Sequence, residues 1–212
     1  MKLQMQKRPH NGMLLTFCGL DGSGKTTMIG RLNAYLQEQG VQPFLTKQPT
    51  PAMRRTHIFR NYMDQPDHTG YDYRALSLMA ASDRIQHTNT VIVPALERGE
   101  LVLSDRYFYS CLANLRARGY TEDRWIYEIG AQILAPDCAF FFDIDVPTAL
   151  ERVRARERER DRFIDVPLQY RLREEYLLIA ADVGGEVIST ARGEDACFKQ
   201  MVDCLERNRA YV

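Results

Sequence analysis

The chain has 212 residues, with 28 lysines and arginines balanced by 28 aspartates and glutamates, so its formal net charge is zero. This balance argues against a protein that binds nucleic acids or anionic membranes through surplus positive charge. No apolar run approaches the ~18 residues that a membrane span requires, and the five cysteines form no CxxC pair and no Cys/His metal spacing. We therefore expect a cytoplasmic protein with free thiols, no nucleic-acid partner and no membrane anchor.

Segment 1–12 is polar and mildly basic, without the apolar stretch of a signal peptide. We expect it to be a flexible tail. The remainder shows no repeat and no linker, and its length suits one good-sized core. We therefore predict a single domain over residues 13–212.

A glycine-rich loop dominates the first part of this domain. Residues 13–18 are apolar and residues 25–39 carry apolar side chains at helical spacing, which predicts a buried strand followed by an amphipathic helix. Between them lies the pattern GxxxxGK[ST], which surrounds phosphates with backbone N–H groups at a helix N-terminus. Both flanks argue against a chance glycine-rich turn. The loop residues expected to bind ATP are Gly19, Gly22, Ser23, Gly24, Lys25, Thr26 and Thr27.

Two side chains of this loop are predicted to contact the phosphates or the metal ion. Lys25 brings positive charge to the outer phosphates, and the hydroxyl of Thr26 is placed to hold Mg²⁺. The loop therefore predicts a protein that binds a nucleoside triphosphate together with Mg²⁺.

A second strand is predicted over 41–47, followed by a turn that contains two prolines. Residues 52–72 predict a short helix and then a loop. A long helix is predicted over 73–98, with a kink near Ile92 because Pro94 interrupts the backbone hydrogen bonds.

Three polar residues on this helix, Asp83, Arg84 and His87, could have either a structural or a ligand-binding role. The first two fit either a surface ion pair or a ligand contact. We expect a structural role for His87.

A third strand over 101–105 ends in a carboxylate, Asp105, which is followed by Arg106. Because carboxyl ends of parallel strands share one edge of a sheet, both side chains should lie beside the glycine-rich loop. Asp105 is a candidate Mg²⁺ ligand, and Arg106 can hold a phosphate with two donors. The alternative is a structural ion pair at a helix start.

Two helices are predicted over 106–118 and 121–134, with Thr121 as the N-cap of the second. The most apolar strand, over 138–143, is expected to be central, and Pro147 opens the next helix. The remaining predicted elements are a helix over 169–183, a strand over 186–189 and a helix over 194–207.

Alternating arginines fill the segment 152–162. On a helix they would form two rows at i,i+4 spacing, and the acidic residues between them fit a solvated, salt-bridged helix. The other explanation is a lid at about 150–166 that closes over a triphosphate and supplies arginines in cis.

Short strands separated by helices predict a parallel sheet with helices on both faces. We predict an α/β fold of the P-loop NTPase type, a three-layer α/β/α arrangement with a five-stranded parallel sheet and a helical lid. The Asn-Lys-x-Asp segment of a guanine-specific GTPase is missing from the sequence. The many arginines instead favour an enzyme that transfers a phosphoryl group between two bound ligands.

Several motifs, in this order, resemble the thymidylate kinase family. Besides the glycine-rich loop, they are the segments 81–87, 92–96, 105–110, 135–137, 161–162 and 176–177. The resemblance covers about residue 14 to about residue 180. It implies a nucleoside monophosphate kinase that moves the γ-phosphoryl group of ATP to dTMP, with Mg²⁺ and as a homodimer.

The resemblance also implies roles for individual side chains. The residues implied to bind the acceptor are Asp21, Lys47, Arg84, Arg106 and Tyr107. Those implied to act in catalysis are Lys25, Arg106, Arg158 and Arg162, and Arg154 is implied to cover the ATP phosphates.

Several positions depart from the family's pattern, among them Ala80, Lys47 and Cys18. Ala80 stands where the family has a phenylalanine that stacks on thymine, a contact worth roughly 1–3 kcal/mol per base in other stacking sites. Lys47 replaces an arginine, and Cys18 stands where a glutamate is common. The alternatives are therefore a related kinase acting on another nucleoside monophosphate or small metabolite, and a non-catalytic nucleotide-sensing protein.

Overall fold

The computed structural model describes residues 1–209 of the chain. Five parallel strands form one sheet in the order β2-β3-β1-β4-β5. Their bounds are Met13–Gly19 for β1, Phe44–Lys47 for β2, Leu101–Asp105 for β3, Cys138–Asp143 for β4 and Glu186–Ser189 for β5. The predicted five-stranded parallel sheet is confirmed.

Ten α-helices connect and cover these strands within the described residues. In chain order they are α1 Lys25–Glu38, α2 Pro51–Arg54, α3 His57–Asp64, α4 Tyr73–His87, α5 Val93–Glu97, α6 Phe108–Ala117, α7 Trp125–Gly130, α8 Val146–Arg154, α9 Val166–Val183 and α10 Glu194–Arg209. None of these helices is long and apolar enough to cross a membrane.

The two faces of the sheet carry separate hydrophobic clusters. On one face, Phe17 of β1 packs in a cluster with Leu32 of α1 and Met201 of α10. On the other face, Leu14 of β1 belongs to the cluster that includes Ile179 of α9. Alternate side chains of one strand therefore point to opposite helical layers, and the predicted three-layer α/β/α arrangement is confirmed.

Strand β1 occupies the middle of the sheet, and all seven of its residues are buried. It pairs with β3 on one side and with β4 on the other. The expectation that β4 is the central strand is wrong: β4 lies beside the middle, between β1 and β5. Both strands are covered on two faces, so apolar content alone does not separate them.

The long helix predicted over 73–98 is divided into α4 and α5 by a π-helical turn, Thr88–Ile92. Pro94 lacks the N–H group that would bond to the carbonyl of Thr90. The interruption lies next to Ile92, where the sequence predicts it.

The helix predicted over 121–134 is shorter in the structure, and the helix predicted through the arginine-rich segment does not form. Helix α7 begins at Trp125 rather than at Thr121, whose hydroxyl donates to the adjacent Glu122 and caps no helix. Helix α8 ends at Arg154, and the arginine-rich segment then forms only a 3₁₀ turn, Glu157–Glu159. The helical rows of arginines therefore do not form. The proposed lid is therefore irregular between α8 and α9.

Part of the segment 1–12 packs against the domain, which corrects the expectation of a wholly flexible tail. Leu3 is 7% exposed and lies over Gly130 of α7. Gln6 forms a parallel bridge with Leu134. A single leucine in a polar segment has no periodicity, so the sequence offered no sign of this contact.

Candidate active site

The glycine-rich loop leaves the carboxyl end of β1 and leads directly into α1. Gly19, Gly22 and Gly24 have positive φ angles of 135°, 81° and 88°, which residues with side chains rarely adopt. Gly22 also lies against α8, since a Cβ there would be 2.2 Å from the carbonyl oxygen of Ala149. Glycine is required for the loop to follow this path.

The ammonium group of Lys25 lies inside the loop. It donates to the carbonyl oxygens of Gly19 at 3.1 Å and Leu20 at 2.5 Å, and to Ser23 Oγ at 3.2 Å. Burial and the neighbouring Arg106 lower the pKa of Lys25 to about 7. A phosphate in the loop would accept these hydrogen bonds in place of the carbonyl oxygens and would favour the charged form.

The first turn of α1 is open at Thr26 and Thr27, which are both exposed. Arg152, in the last turn of α8, approaches this helix start: its Nη1 lies 4.0 Å from the position of a Cβ on Gly24. Nothing in the sequence distinguishes Arg152 from the other arginines of its segment. Which arginine of the segment approaches α1 depends on where α8 ends and on how α8 packs against the loop.

Arg106 follows β3 with a positive φ of 69°, which is uncommon for a residue with a side chain. Its N–H donates to the carbonyl of Phe17 at 2.9 Å, and its carbonyl accepts from Ser104 Oγ at 2.8 Å. The guanidinium Nη1 donates to Gly19 O at 3.0 Å and to Tyr176 Oη at 3.1 Å. This backbone conformation therefore directs Arg106 to the loop.

Asp21, within the loop, forms ion pairs with two arginines. Arg106 Nη2 donates to one carboxylate oxygen, and Arg162 Nη2 donates to the other at 3.0 Å. Burial opposes ionisation, but Arg106, Lys25 and Arg162 together hold the pKa of Asp21 well below its usual range. Side chains from three distant parts of the chain therefore meet at this carboxylate.

The three lid arginines named from the resemblance lie in different environments. Arg162 contacts Asp21, as described, and its Nη1 is 3.6 Å from Glu159. Arg154 and Arg158 are exposed. The chain turns back toward the loop after α8, and this turn brings Arg162 to the site.

Lys47 and Asp105 lie opposite each other at the ends of β2 and β3. Lys47 Nζ is 2.5 Å from Asp105 Oδ2. Asp105 also influences the pKa of Lys25, so its carboxylate lies at the same edge as the glycine-rich loop. A carboxylate and the Thr26 hydroxyl are the oxygen donors that Mg²⁺ prefers, and this donor set fits the ion.

Arg84 is only 3% exposed, so the possible surface ion pair with Asp83 is excluded. Its Nη1 donates to Ala80 O at 2.8 Å and its Nε to Tyr107 O at 3.4 Å. The side chain of Tyr107 is fully buried, and its hydroxyl donates to Leu134 O at 2.8 Å. This corrects the expectation that the Tyr107 side chain binds the acceptor: the ring packs in the core, and only the backbone carbonyl faces Arg84.

Asp83 and His87 organise the turn that follows β2. The carboxylate of Asp83 accepts hydrogen bonds from the N–H of Thr50 at 2.9 Å and from the Thr50 hydroxyl. His87 bridges Thr46 Oγ1 at 2.8 Å and Gln48 Nε2 at 3.1 Å. These contacts fit the structural role expected for His87.

Arg54 is a site residue that sequence reasoning missed. Its Nε donates to Pro49 O at 2.8 Å. Burial lowers the pKa of Arg54, and the charges of Arg106 and Arg84 contribute to the shift. The three guanidinium groups therefore share one region. Nothing in the sequence separates Arg54 from the adjacent Arg55, because the distinction depends on the turn at Pro49.

The site collects positive side chains at one edge of the sheet. They are Lys25, Lys47, Arg54, Arg84, Arg106 and Arg162. Such a set can align two phosphorylated ligands and neutralise the charge on a phosphoryl group that moves between them.

Known proteins are similar in sequence to this chain. The chain matches the family model described as thymidylate kinase over residues 17–200. The probable thymidylate kinase of Pyrococcus horikoshii is 35% identical over 171 residues, which cover 80% of this chain and 83% of the relative. The thymidylate kinase of Geobacillus thermodenitrificans is 37% identical over 200 residues, which cover 91% of this chain and 88% of the relative.

Proposed function

This chain belongs to the thymidylate kinase family, and on that premise we propose that it transfers the γ-phosphoryl group of ATP to the 5′-phosphate of dTMP, giving ADP and dTDP. The observation that carries the proposal is the meeting of Lys25, Arg106 and Arg162 around Asp21 and the glycine-rich loop. Phosphoryl transfer depends mainly on such positioning and charge neutralisation.

The donor nucleotide is assigned to the glycine-rich loop. Backbone N–H groups between Gly19 and Thr27 would hold the phosphates, and Lys25 would pair with the outer ones. Arg152 lies beside the start of α1, and the exposed Arg154 ends the same helix. We assign both to the ATP side of the site.

The acceptor is assigned to the β2 side of the site. Arg106 would hold the acceptor phosphate with its two-donor guanidinium, and Arg54 and Lys47 would add positive charge nearby. Arg84 lies further along this side, at the level of Ala80, and would donate to the base. Asp21 orients Arg106 and Arg162 because it accepts a hydrogen bond from each.

Mg²⁺ is assigned to Thr26 and Asp105, which supply one hydroxyl and one carboxylate. When bound, the ion would neutralise phosphate charge on the donor. An oxygen of the acceptor phosphate attacks the γ-phosphorus, and the bond to the β-phosphate oxygen breaks. During this transfer Lys25, Arg106 and Arg162 stabilise the negative charge on the phosphoryl oxygens.

A coupled ADP-release assay tests this proposal. The protein is given ATP and MgCl₂ with a panel of nucleoside monophosphates, beginning with dTMP and dUMP. We expect turnover with dTMP to exceed turnover with the other acceptors. ATP binding without ADP release on any acceptor would instead favour the nucleotide-sensing protein.

Ala80 favours a second candidate, a kinase of the same fold that acts on another nucleoside monophosphate. Without an aromatic ring at this position, a thymine base lacks a stacking partner worth roughly 1–3 kcal/mol. The variant Ala80→Phe distinguishes the two candidates by calorimetric titration. Tighter dTMP binding supports the thymidylate site, and weaker dTMP binding with turnover on a different acceptor supports the second candidate.

We also propose that the chain forms a homodimer in the cytoplasm. Helix α4 exposes two consecutive apolar side chains, Leu78 at 47% and Met79 at 41%, and we assign them to the interface of a homodimer in the cytoplasm. Sedimentation equilibrium should give twice the mass of the chain, and the double variant Leu78→Glu, Met79→Glu should give the monomer.

A further inference from the structure

The thiols of Cys138 and Cys204 contact each other, with the two Sγ atoms 3.2 Å apart. Cys138 is the first residue of β4, and Cys204 lies on α10. They are 5% and 3% exposed. Cys138 pairs with Leu15 in the sheet, whereas the loop glycine Gly19 pairs with the other end of β4. The two thiols therefore lie at the end of β4 remote from the glycine-rich loop.

Asn208, one turn after Cys204, holds the two sulfur atoms together. Its Nδ2 donates to Cys138 Sγ at 3.1 Å and approaches Cys204 Sγ at 3.6 Å, and it also donates to Cys204 O at 2.8 Å. The hydrogen bond from Cys138 lowers the pKa of Cys204, and Arg207 acts in the same direction against burial. Cys204 is therefore the thiol favoured for ionisation.

The other three cysteines contact oxygen-bearing groups. Cys18 accepts a hydrogen bond from Ser110 Oγ, Cys111 donates to Ser77 O, and Cys197 donates to Ser189 O. Among residues 1–209, the contact between two thiols belongs to Cys138 and Cys204.

We propose that Cys138 and Cys204 form a reversible intramolecular disulfide when a small disulfide such as oxidised glutathione is present. The Cys204 thiolate attacks one glutathione sulfur and releases a glutathione thiolate. Cys138 loses its proton to solvent, attacks the Cys204 sulfur and releases the second glutathione thiolate. Two protein thiols are thereby oxidised, and one glutathione disulfide is reduced to two thiols. The sulfur atoms need to approach by only about 1 Å to reach the length of an S–S bond.

The bond would fasten α10 to the sheet. Helix α10 packs over α1, where the guanidinium of Arg31 lies 4.4 Å from the centre of the Phe198 ring and Tyr35 meets the same ring edge-on. The disulfide would close the long chain segment between positions 138 and 204 and so restrict the unfolded chain. This restriction should raise the midpoint of thermal unfolding. The candidate active site lies at the opposite end of the strands, so turnover should be unchanged.

The test equilibrates the full chain with mixtures of reduced and oxidised glutathione. After the remaining thiols are alkylated, intact mass spectrometry should show the loss of two hydrogens, and peptide mapping should link residue 138 to residue 204. The midpoint of thermal unfolding should rise by roughly 5–10 °C. Dithiothreitol should reverse both changes.

Variants define the controls. Cys204→Ser and Cys138→Ser should each abolish the mass change and the thermal shift, with Cys204→Ala as a second variant should either serine impair folding. Cys197→Ser alters another buried thiol of α10 and should retain both effects. The proposal is overturned if the protein keeps five alkylatable thiols in excess oxidised glutathione, if only glutathione adducts form, or if the crosslink maps to another pair.

Discussion

Arg106 is the side chain that joins the two sides of the site. Its guanidinium contacts Asp21 in the loop and Tyr176 on α9. Tyr176 in turn donates to Ser110 Oγ at 3.0 Å, and Ser110 donates to Cys18 Sγ at 3.6 Å. Burial raises the pKa of the Cys18 thiol, which therefore stays neutral. A neutral group behind this network adds no negative charge that would compete with a phosphate for Arg106.

Lys25→Ala should lower kcat by roughly 100-fold or more, because it removes a positive charge from the transferring phosphoryl group. The coupled ADP-release assay measures this effect, and circular dichroism verifies the fold. Lys199→Ala is the control, since Lys199 pairs with Asp203 on the surface of α10. Near-normal turnover in Lys25→Ala would rule out the loop as the donor site.

Arg162→Ala and Arg158→Ala form a matched pair from one segment. Arg162 contacts Asp21 and should be needed for transfer, so its loss should reduce kcat/KM by roughly 100-fold. Arg158 is exposed on the 3₁₀ turn and its loss should reduce kcat/KM by less than roughly 10-fold. Steady-state kinetics with both substrates make the comparison. Equal losses in the two variants would assign catalysis to the lid as a whole.

At the scale of elements, α8 and the glycine-rich loop are packed together through backbone atoms. Gly22 has no room for a side chain because of the carbonyl oxygen of Ala149. This contact sets the direction in which the arginine-rich segment leaves the domain. The position of Arg152 beside α1 follows from it.

Gly22→Ala should destabilise the protein by about 2 kcal/mol or more, because the substitution combines a strained φ with a clash against backbone. It should also weaken ATP binding. Gly30→Ala is the control on α1, because a Cβ there would have no neighbour within 4 Å. This variant should stabilise the helix by about 0.5–1 kcal/mol. Urea unfolding measures both changes. A stable Gly22→Ala variant would show that α8 can move away from the loop.

The elements that the sequence predicts best are those specified by local pattern. Strand β1, the glycine-rich loop and the interruption before Pro94 depend on apolar runs, glycines and a missing N–H. The environments of Arg54 and Tyr107 depend on packing between distant segments, and one-dimensional spacing carries no such information. The helix predicted through the arginine-rich segment is wrong, because a period that fits a helix carries no information on whether the segment packs against the domain.

At the scale of the whole molecule, five parallel strands bring their carboxyl ends to one edge. Lys25, Arg106 and Arg162 are separated along the chain and lie close together only because this edge collects them. The opposite edge holds Cys138 and its partner thiol. The proposed phosphoryl transfer and the proposed disulfide are therefore located at opposite ends of the strands.

The pKa of Lys25 makes the stability of the whole protein depend on pH. In the folded protein this pKa is about 7, against 10.5 for the unfolded chain, so between these values the unfolded state binds more protons. The free energy of unfolding should therefore rise with pH between 7 and 9, by at most about 1.4 kcal/mol per pH unit. Chemical denaturation at a series of pH values measures the slope.

Lys25→Met should flatten this slope, because the variant has no group to titrate there. ATP should also flatten it in the native sequence, since the bound phosphates restore the charged form of Lys25. Calorimetry at pH 8 in buffers of different ionisation enthalpy should then detect proton uptake on ATP binding, up to about one proton per site. Proton release on binding would contradict the assignment.

The contact between Ala149 and Gly22 also bears on how this sequence can diverge. Because α8 touches the nucleotide loop through backbone, an insertion within its first turns would displace the loop and be eliminated by selection. Beyond Arg154 the exposed residues of the segment, such as Arg158, can change in charge with little consequence for the fold, whereas Arg162 is held by its contact with Asp21. Descendants of this protein should therefore differ most at the exposed positions between Arg154 and Arg162, and least at the junction of α8 with the loop.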